Sequence, residues 1–162
     1  MEKTMKNPVI MTDQHICKVT IHSVPDRPGI AAEVFGRLGE EGLNVSMMTA
    51  SGGASGRTDI SFTVGDEDTS KTLNLLDSVR GELEAEKITK RDDVVSVSLV
   101  ADQMHRIPGV AGRIFRTLSS EGINIDMISA SATAVTCVID SRLLDKAVNA
   151  LRQEFSAELT QA

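Results

Sequence analysis

Cys17, Val19 and Ile21 alternate with Lys18, Thr20 and His22, so residues 16–24 read as a strand with one buried face. The period then lengthens: Ile30, Val34, Phe35 and Leu38 fall on one side of a helix. Gly42 ends that helix, because glycine accepts the left-handed conformation after the last turn. "NVSMMTAS" (44–51) predicts a second strand, "GGASG" (52–56) a Gly-rich hairpin, and "RTDISFTV" (57–64) a third strand with Ile60, Phe62 and Val64 inward. A second helix is expected over 70–86, with Leu73, Leu76, Val79 and Leu83 on one stripe, and "KITKR" (87–91) reads as a short fourth strand. The order is βαββαβ, a ferredoxin-like split unit.

The pattern then starts again. "PGIAAEVFGRLGEEGLNVSMMTAS" (28–51) aligns without gaps on "PGVAGRIFRTLSSEGINIDMISAS" (108–131). A spacing of 80 is too long for a solenoid repeat of roughly 20–50 residues, and suits two duplicated small domains. "DVVSVSLVA" (93–101) predicts the first strand of the second unit. A helix over 108–121, strands over 123–131 and 134–140, and a helix over 142–155 follow. No closing strand remains, because "SAELTQA" is a poor one, while "PVIMT" (8–12) is a strand with no place in the first unit. We read 8–12 as completing the second sheet, so that the units interleave; the alternative is a frayed N-terminus. The expected fold is α+β: one ferredoxin-like domain over 14–92, and another over 93–157 with 8–12.

Composition narrows the functional classes. The 162 residues are 41% hydrophobic and 25% charged, with neither Trp nor Tyr, so Val, Ile, Leu, Met, Ala and four Phe must build the core. A net charge of −6 argues against a nucleic-acid partner, whose phosphates need Lys and Arg. An RNA-recognition module shares the βαββαβ order, but it stacks bases on aromatics of the sheet, where the outward strand positions of this chain are Ser, Thr, Lys and His. No apolar run reaches the roughly 18 residues of a membrane span, and the first residues lack the apolar stretch of a signal peptide. The expected location is the cytoplasm. Cys17 and Cys137 lie in predicted strands and read as buried, reduced thiols, with a disulfide across the repeats as the alternative. There is no GxxxxGK loop, no zinc spacing among Cys17, Cys137, His15, His22 and His105, and no nucleophile–base pair. We therefore expect no catalysis by this chain on its own, no metal and no cofactor.

The candidate chemistry lies at the two Pro-Gly turns, Pro28-Gly29 and Pro108-Gly109. Proline near the first helical position has its φ already set, and glycine leaves room for close approach. Free N–H groups of a first turn, with the positive end of the helix dipole, can hold a carboxylate. Asp26, just ahead, can receive an ammonium group, and the two together suit an α-amino acid. Asn44 and Asn124 open strands after Gly-terminated helices, and their amides can bond a small polar ligand. The plainer alternative is that Asp26 caps the helix and Pro-Gly only makes the turn.

"VTIHSVPDRPGIAAEVFGRLGEEGLNVSMM", "GRTDISFTV" and "PGVAGRIFRTLSSEGINIDMISAS" resemble the tandem ACT domains of aspartate kinase, over Val9 to Phe155. The resemblance implies an interleaved N-terminal strand and a homodimer whose ACT units pair side by side. It implies threonine or lysine as the amino-acid effector, with feedback inhibition of the first step of the aspartate pathway. In some bacteria of that family the regulatory part is also made separately, beside a catalytic subunit. Carried over, Asp26, Gly29, Ile30 and Ala31 match the helix-mouth positions that hold the effector's charged ends, and Asn124 and Ile125 match the partner-side positions. Asn44 with Val45, and Pro108 with Gly109 and Val110, are equivalents by internal symmetry.

The chain also departs from the family. Ala50-Ser51 stand where Gln-Asn is usual, and Ser129-Ala130-Ser131-Ala132 where Ser-Thr-Ser-Glu is usual. Ala101-Asp102-Gln103-Met104 replace Gly-Ala-Gly-Met, Arg106-Ile107 replace Ser-His, and Ser46 stands where Asp is common, although Asp126 keeps it. These positions lie at effector and interface sites while the core pattern stays. A buried ammonium without partners is costly, so lysine fits less well than a small or apolar amino acid. The alternatives to a feedback subunit are an ACT protein of altered effector specificity and a binding-silent dimerisation module.

Overall fold

The computed structural model describes residues 5–52 and 55–160. They divide into two compact units, one of His15–Asp92 and the other of Met1–Gln14 with Asp93–Ala162. Each unit is a four-stranded antiparallel sheet with helices.

In the first domain β2 (Ile16–Pro25) is central, with β4 (Arg57–Gly65) on one side and β5 (Lys87–Arg91) on the other. β1 (Lys6–Asp13) belongs to the second sheet, and β3 (Met48–Gly52) forms the far edge of this one, beyond β4. Cys17, Val19, Ile21 and Val24 are fully buried. The step from Ile21 to Val24 is three rather than two. The pairing with β4 shifts there, and Ser23 takes φ 55, so β2 carries a bulge. α1 (Ile30–Glu40) buries Ile30, Val34 and Leu38, and α2 (Thr69–Val79) buries Thr72, Leu76 and Val79. The Phe35 ring meets Phe62 edge-on at 5.5 Å.

The second domain repeats this around β6 (Val94–Asp102). Its neighbours are β1 and β8 (Ala134–Asp140), with β7 (Met127–Ala130) at the other edge. β1 pairs antiparallel with β6 from Val9↔Val100 to Asp13↔Ser96, and Met5 joins the second core. The N-terminal segment is thus a structural strand and not a frayed end. α3 (Val110–Ser120) and α4 (Leu144–Glu154) cover the core, and 156–159 form a short helix, α5 (Ser156–Leu159). The Arg113 guanidinium stacks 4.3 Å over Phe155 and is held by Glu154 at 2.7 Å and Glu158 at 2.6 Å.

Several expected boundaries move. The second helix stops at Val79 rather than at 86. A turn with Glu84 at φ 52 follows, in which Leu83 N–H still bonds Val79 O, so Leu83 reaches the core from outside the helix. The strands expected from Asn44 and Ile123 begin at Met48 and Met127. The approach to each is already bonded to the sheet, by Ser46 N–H to Thr63 O and Thr63 N–H to Met47 O, both at 3.0 Å, in the first domain and by Asp126 N–H to Val138 O at 2.8 Å in the second. Of the expected hairpin "GGASG", residues 53 and 54 lie outside the described residues. The strands on either side pair antiparallel, with Gly52 opposite Thr58.

Both cysteines are free and fully buried, which sets the disulfide alternative aside. Burial pushes both thiols up, Cys137 to about 11, so the reactive thiolate is scarce at neutral pH. A disulfide-exchange reagent added to native protein at pH 8 is therefore expected to react slowly, with both thiols appearing at once in denaturant. Fast labelling of native protein would contradict this burial. A second consequence concerns Thr72, whose hydroxyl is buried without a hydrogen-bond partner. Thr72→Val keeps the shape and removes the unpaired group. It should raise stability by about 1 kcal/mol in denaturant titration, and a loss would show that the hydroxyl is satisfied in solution.

Candidate functional site

Each domain presents a helix mouth built in the same way. In the first, the chain leaves β2 through Pro25, and Asp26 N–H donates to Gly56 O at 2.9 Å. Gly29, with φ 95, is the residue that caps α1. Pro28 therefore stands outside the helix and not at its first position. A Cβ added to Gly29 would meet nothing within 4 Å. The left-handed backbone demands this glycine, and the space before it is open. Ile30 N–H bonds Arg27 O at 3.3 Å and Glu33 N–H bonds Gly29 O at 2.9 Å. Between them, the N–H groups of Ala31 and Ala32 have no partner among the described residues.

Asp26 is exposed and no side chain caps α1, which sets the capping alternative aside. Its Oδ2 lies 3.4 Å from where a Cβ on Gly52 would stand, so the carboxylate sits over the end of β3. Arg27 is engaged by Glu33 through two bonds of 2.8 and 2.9 Å. The pairing holds the Glu33 carboxyl below its ordinary range and raises the Arg27 guanidinium. Asp26 thus comes just ahead of this first turn in the chain, and no ion pair holds its carboxylate among the described residues.

In the second domain Gly109 caps α3 with φ 88, again with open space before it. Arg113 N–H bonds Gly109 O at 3.0 Å, and the N–H groups of Val110, Ala111 and Gly112 have no partner among the described residues. The position matching Asp26 is Arg106, whose Nη1 donates to Gln103 Oε1 at 3.2 Å. The two mouths therefore share a backbone and carry opposite charges.

The other candidate residues divide by side chain. Ile30 and Val110 are buried anchors of their helices, so only their backbones face the mouths. Val45 and Ile125 pack against the first and second cores. Asn44 and Asn124 are exposed. Within its own domain each Asn follows the C-terminal end of the helix, a full helix length, about 16 Å, from the glycine that caps the start. No single domain unites a helix mouth with an Asn. The edge strands β3 and β7 expose Ala50, Ser51, Ser129 and Ala130. Gly52 and Gly56 were not among the sequence candidates, although they frame Asp26; a Gly-rich hairpin signals a turn and not what the turn supports.

Two clefts of about 400 and 580 Å³ run along β1 against α4 and α5, and neither includes a residue of the helix mouths. Among the described residues no group of His, Cys, Asp and Glu is arranged to hold a metal, and no helix is long and apolar enough to cross a membrane.

ACT-domain profiles match residues 19–81 and 97–155. A structure of aspartokinase alpha and beta subunits is 36% identical with a TM-score of 0.85, covering 91% of this chain and 97% of that one. The ligand-free regulatory subunit of aspartate kinase from Thermus thermophilus is 29% identical with a TM-score of 0.86, covering 90% and 96%. An aspartate kinase of Stutzerimonas stutzeri is 33% identical over 160 residues, 97% of this chain but 39% of that protein's length. With both ACT domains matched, and near-complete overlap with these two subunit structures, the chain belongs to the ACT-domain regulatory subunits and regions of aspartate kinase.

Proposed function

We propose that this chain senses a free amino acid in the cytoplasm and transmits its presence to a separate aspartate kinase catalytic subunit. The observation that carries the reading is the first helix mouth, where, among the described residues, the N–H groups of Ala31 and Ala32 have no partner and the Asp26 carboxylate just ahead of them has no ion pair. The effector's carboxylate meets Ala31, Ala32 and the helix dipole, and its ammonium meets Asp26. A homodimer, with the ACT domains bounded near 14–92 and 93–157 plus 8–12, supplies the missing wall. A strand start from a second ACT unit, at Asn124-Ile125 or Asn44-Val45, faces a mouth and adds an amide. The mouth at Pro108, Gly109 and Val110 is the related position in the second domain. Regulation is a population shift: the effector binds one arrangement of the dimer better, and biases the catalytic partner only by that difference.

Threonine suits this site better than lysine. Ala50, Ser51, Ala130 and Ala132 offer neither the amide nor the carboxylate that a lysine ammonium needs. The test is calorimetric titration with each of the twenty amino acids; lacking Trp and Tyr, the chain is nearly blind to intrinsic fluorescence. Saturable threonine binding with lysine silent is the expected result. A different single amino acid would revise the specificity, and silence across the panel would replace sensing with a dimerisation role.

A further inference from the structure

Behind the first helix mouth lies a brace that the second domain lacks. The β2 bulge places Ser23 at φ 55, a conformation that an L side chain adopts only when its surroundings enforce it. Ser23 N–H donates to Asp59 Oδ1 at 2.8 Å. Arg57 Nε donates to both Ser23 O and Ser23 Oγ at 2.9 Å, and its Nη2 also reaches Ser23 O and Glu84 O. The second oxygen of Asp59 lies 3.2 Å from His22 Nδ1, and His22 Nε2 lies 2.7 Å from Thr89 Oγ1. One guanidinium thus ties the bulge, the start of β4 and the turn before β5. Arg57 also pairs with Pro25 across the sheet, and the next residue is Asp26. Eighty positions on, Gln103 has nearly the same φ, 56, but the guanidinium that reaches it is that of Arg106 in the same turn, through Nη1 to the side-chain Oε1 at 3.2 Å and not to the carbonyl. That carbonyl accepts from Arg106 N–H inside a local turn.

We propose that Arg57 is a positioning residue of the first helix mouth. By holding the Ser23 carbonyl at the bulge it fixes where Asp26 and the open N–H groups of Ala31 and Ala32 stand. This assignment rests on the amino-acid-binding reading of that mouth. A planar fork that serves two carbonyls and a hydroxyl cannot be reproduced by an ammonium group, so lysine at position 57 should keep the charge and lose the hold.

The experiment compares wild type, Arg57→Lys and Arg57→Met in the full chain, by amide hydrogen exchange without ligand and by titration with threonine. In both variants the Asp26 amide is expected to exchange at least tenfold faster, the Arg106 amide to stay within twofold, and threonine affinity to fall about tenfold. Arg57→Lys serves if Arg57→Met does not fold. Wild-type exchange at Asp26 in a folded variant, or full rescue by lysine, would overturn the proposal. Equal acceleration at Asp26 and Arg106 would also overturn it, by showing global loosening. If wild type binds none of the twenty amino acids, the sensing reading falls, and the exchange comparison alone upholds or overturns the brace.

Discussion

Removal of residues 1–13 should unfold the second domain while the first stays folded. β1 supplies an edge of the second sheet, pairing with β6 at five consecutive positions from Val9 to Asp13. It also brings Met5 into the second core and packs Ile10 against it. Burying a Met side chain contributes about 1.5–3 kcal/mol, and each exchanged backbone hydrogen bond about 1 kcal/mol. Together these losses are comparable with the roughly 5–15 kcal/mol that stabilises a whole domain. The first sheet, β3-β4-β2-β5, takes no strand from this segment. Hydrogen exchange resolved by segment is the measurement. Protection should vanish over 94–159 and persist over 16–91, and a peptide of residues 5–14 added in excess should restore part of it. Unchanged protection in β6 and β8 would mean that β1 decorates the second sheet without being needed to close it.

That topology was legible in the sequence because a duplicated unit leaves a remainder. The second copy lacks a closing strand and the N-terminus offers a spare one, so counting elements pointed to the exchange, and the pairing of β1 with β6 decides it against a frayed end. Period-2 and period-3.6 patterns likewise placed β2, β4, β6, β8 and all four long helices. Boundaries were harder wherever a side chain reaches the core from outside its element. Leu83 continues the α2 stripe yet sits in a turn, and Val45 and Ile125 face the cores from segments that are not yet strands.

The mouths were half legible. Pro-Gly marked their place, but the reading put proline inside the helix, whereas glycine does the capping with a left-handed backbone. The bulge at Ser23 left a trace, a step of three between Ile21 and Val24, that alternation alone does not explain. The partners that hold it, Arg57 and Asp59, lie more than thirty residues away, where no local pattern connects them.

Asp26→Ala should weaken threonine binding by about 10- to 100-fold and leave the thermal midpoint unchanged. The affinity loss follows from removing a charged partner of the effector's ammonium, since a hydrogen bond to a charged group contributes about 1.5–3 kcal/mol. The unchanged midpoint follows from the surroundings: the side chain is exposed, and no side chain caps α1. Asp26→Asn separates charge from hydrogen bonding. If the ammonium is held mainly by charge, asparagine should recover little of the affinity; substantial recovery would make the contact a neutral hydrogen bond. Gly29→Ala is the contrasting variant, because it strains the left-handed cap by about 1–2 kcal/mol and should lower both affinity and midpoint. Affinity unchanged in Asp26→Ala would place the ammonium elsewhere in the dimer. Affinity and midpoint falling together would make the Asp26 carboxylate a structural group of the turn, since the substitution leaves the Asp26 N–H bond to Gly56 O in place.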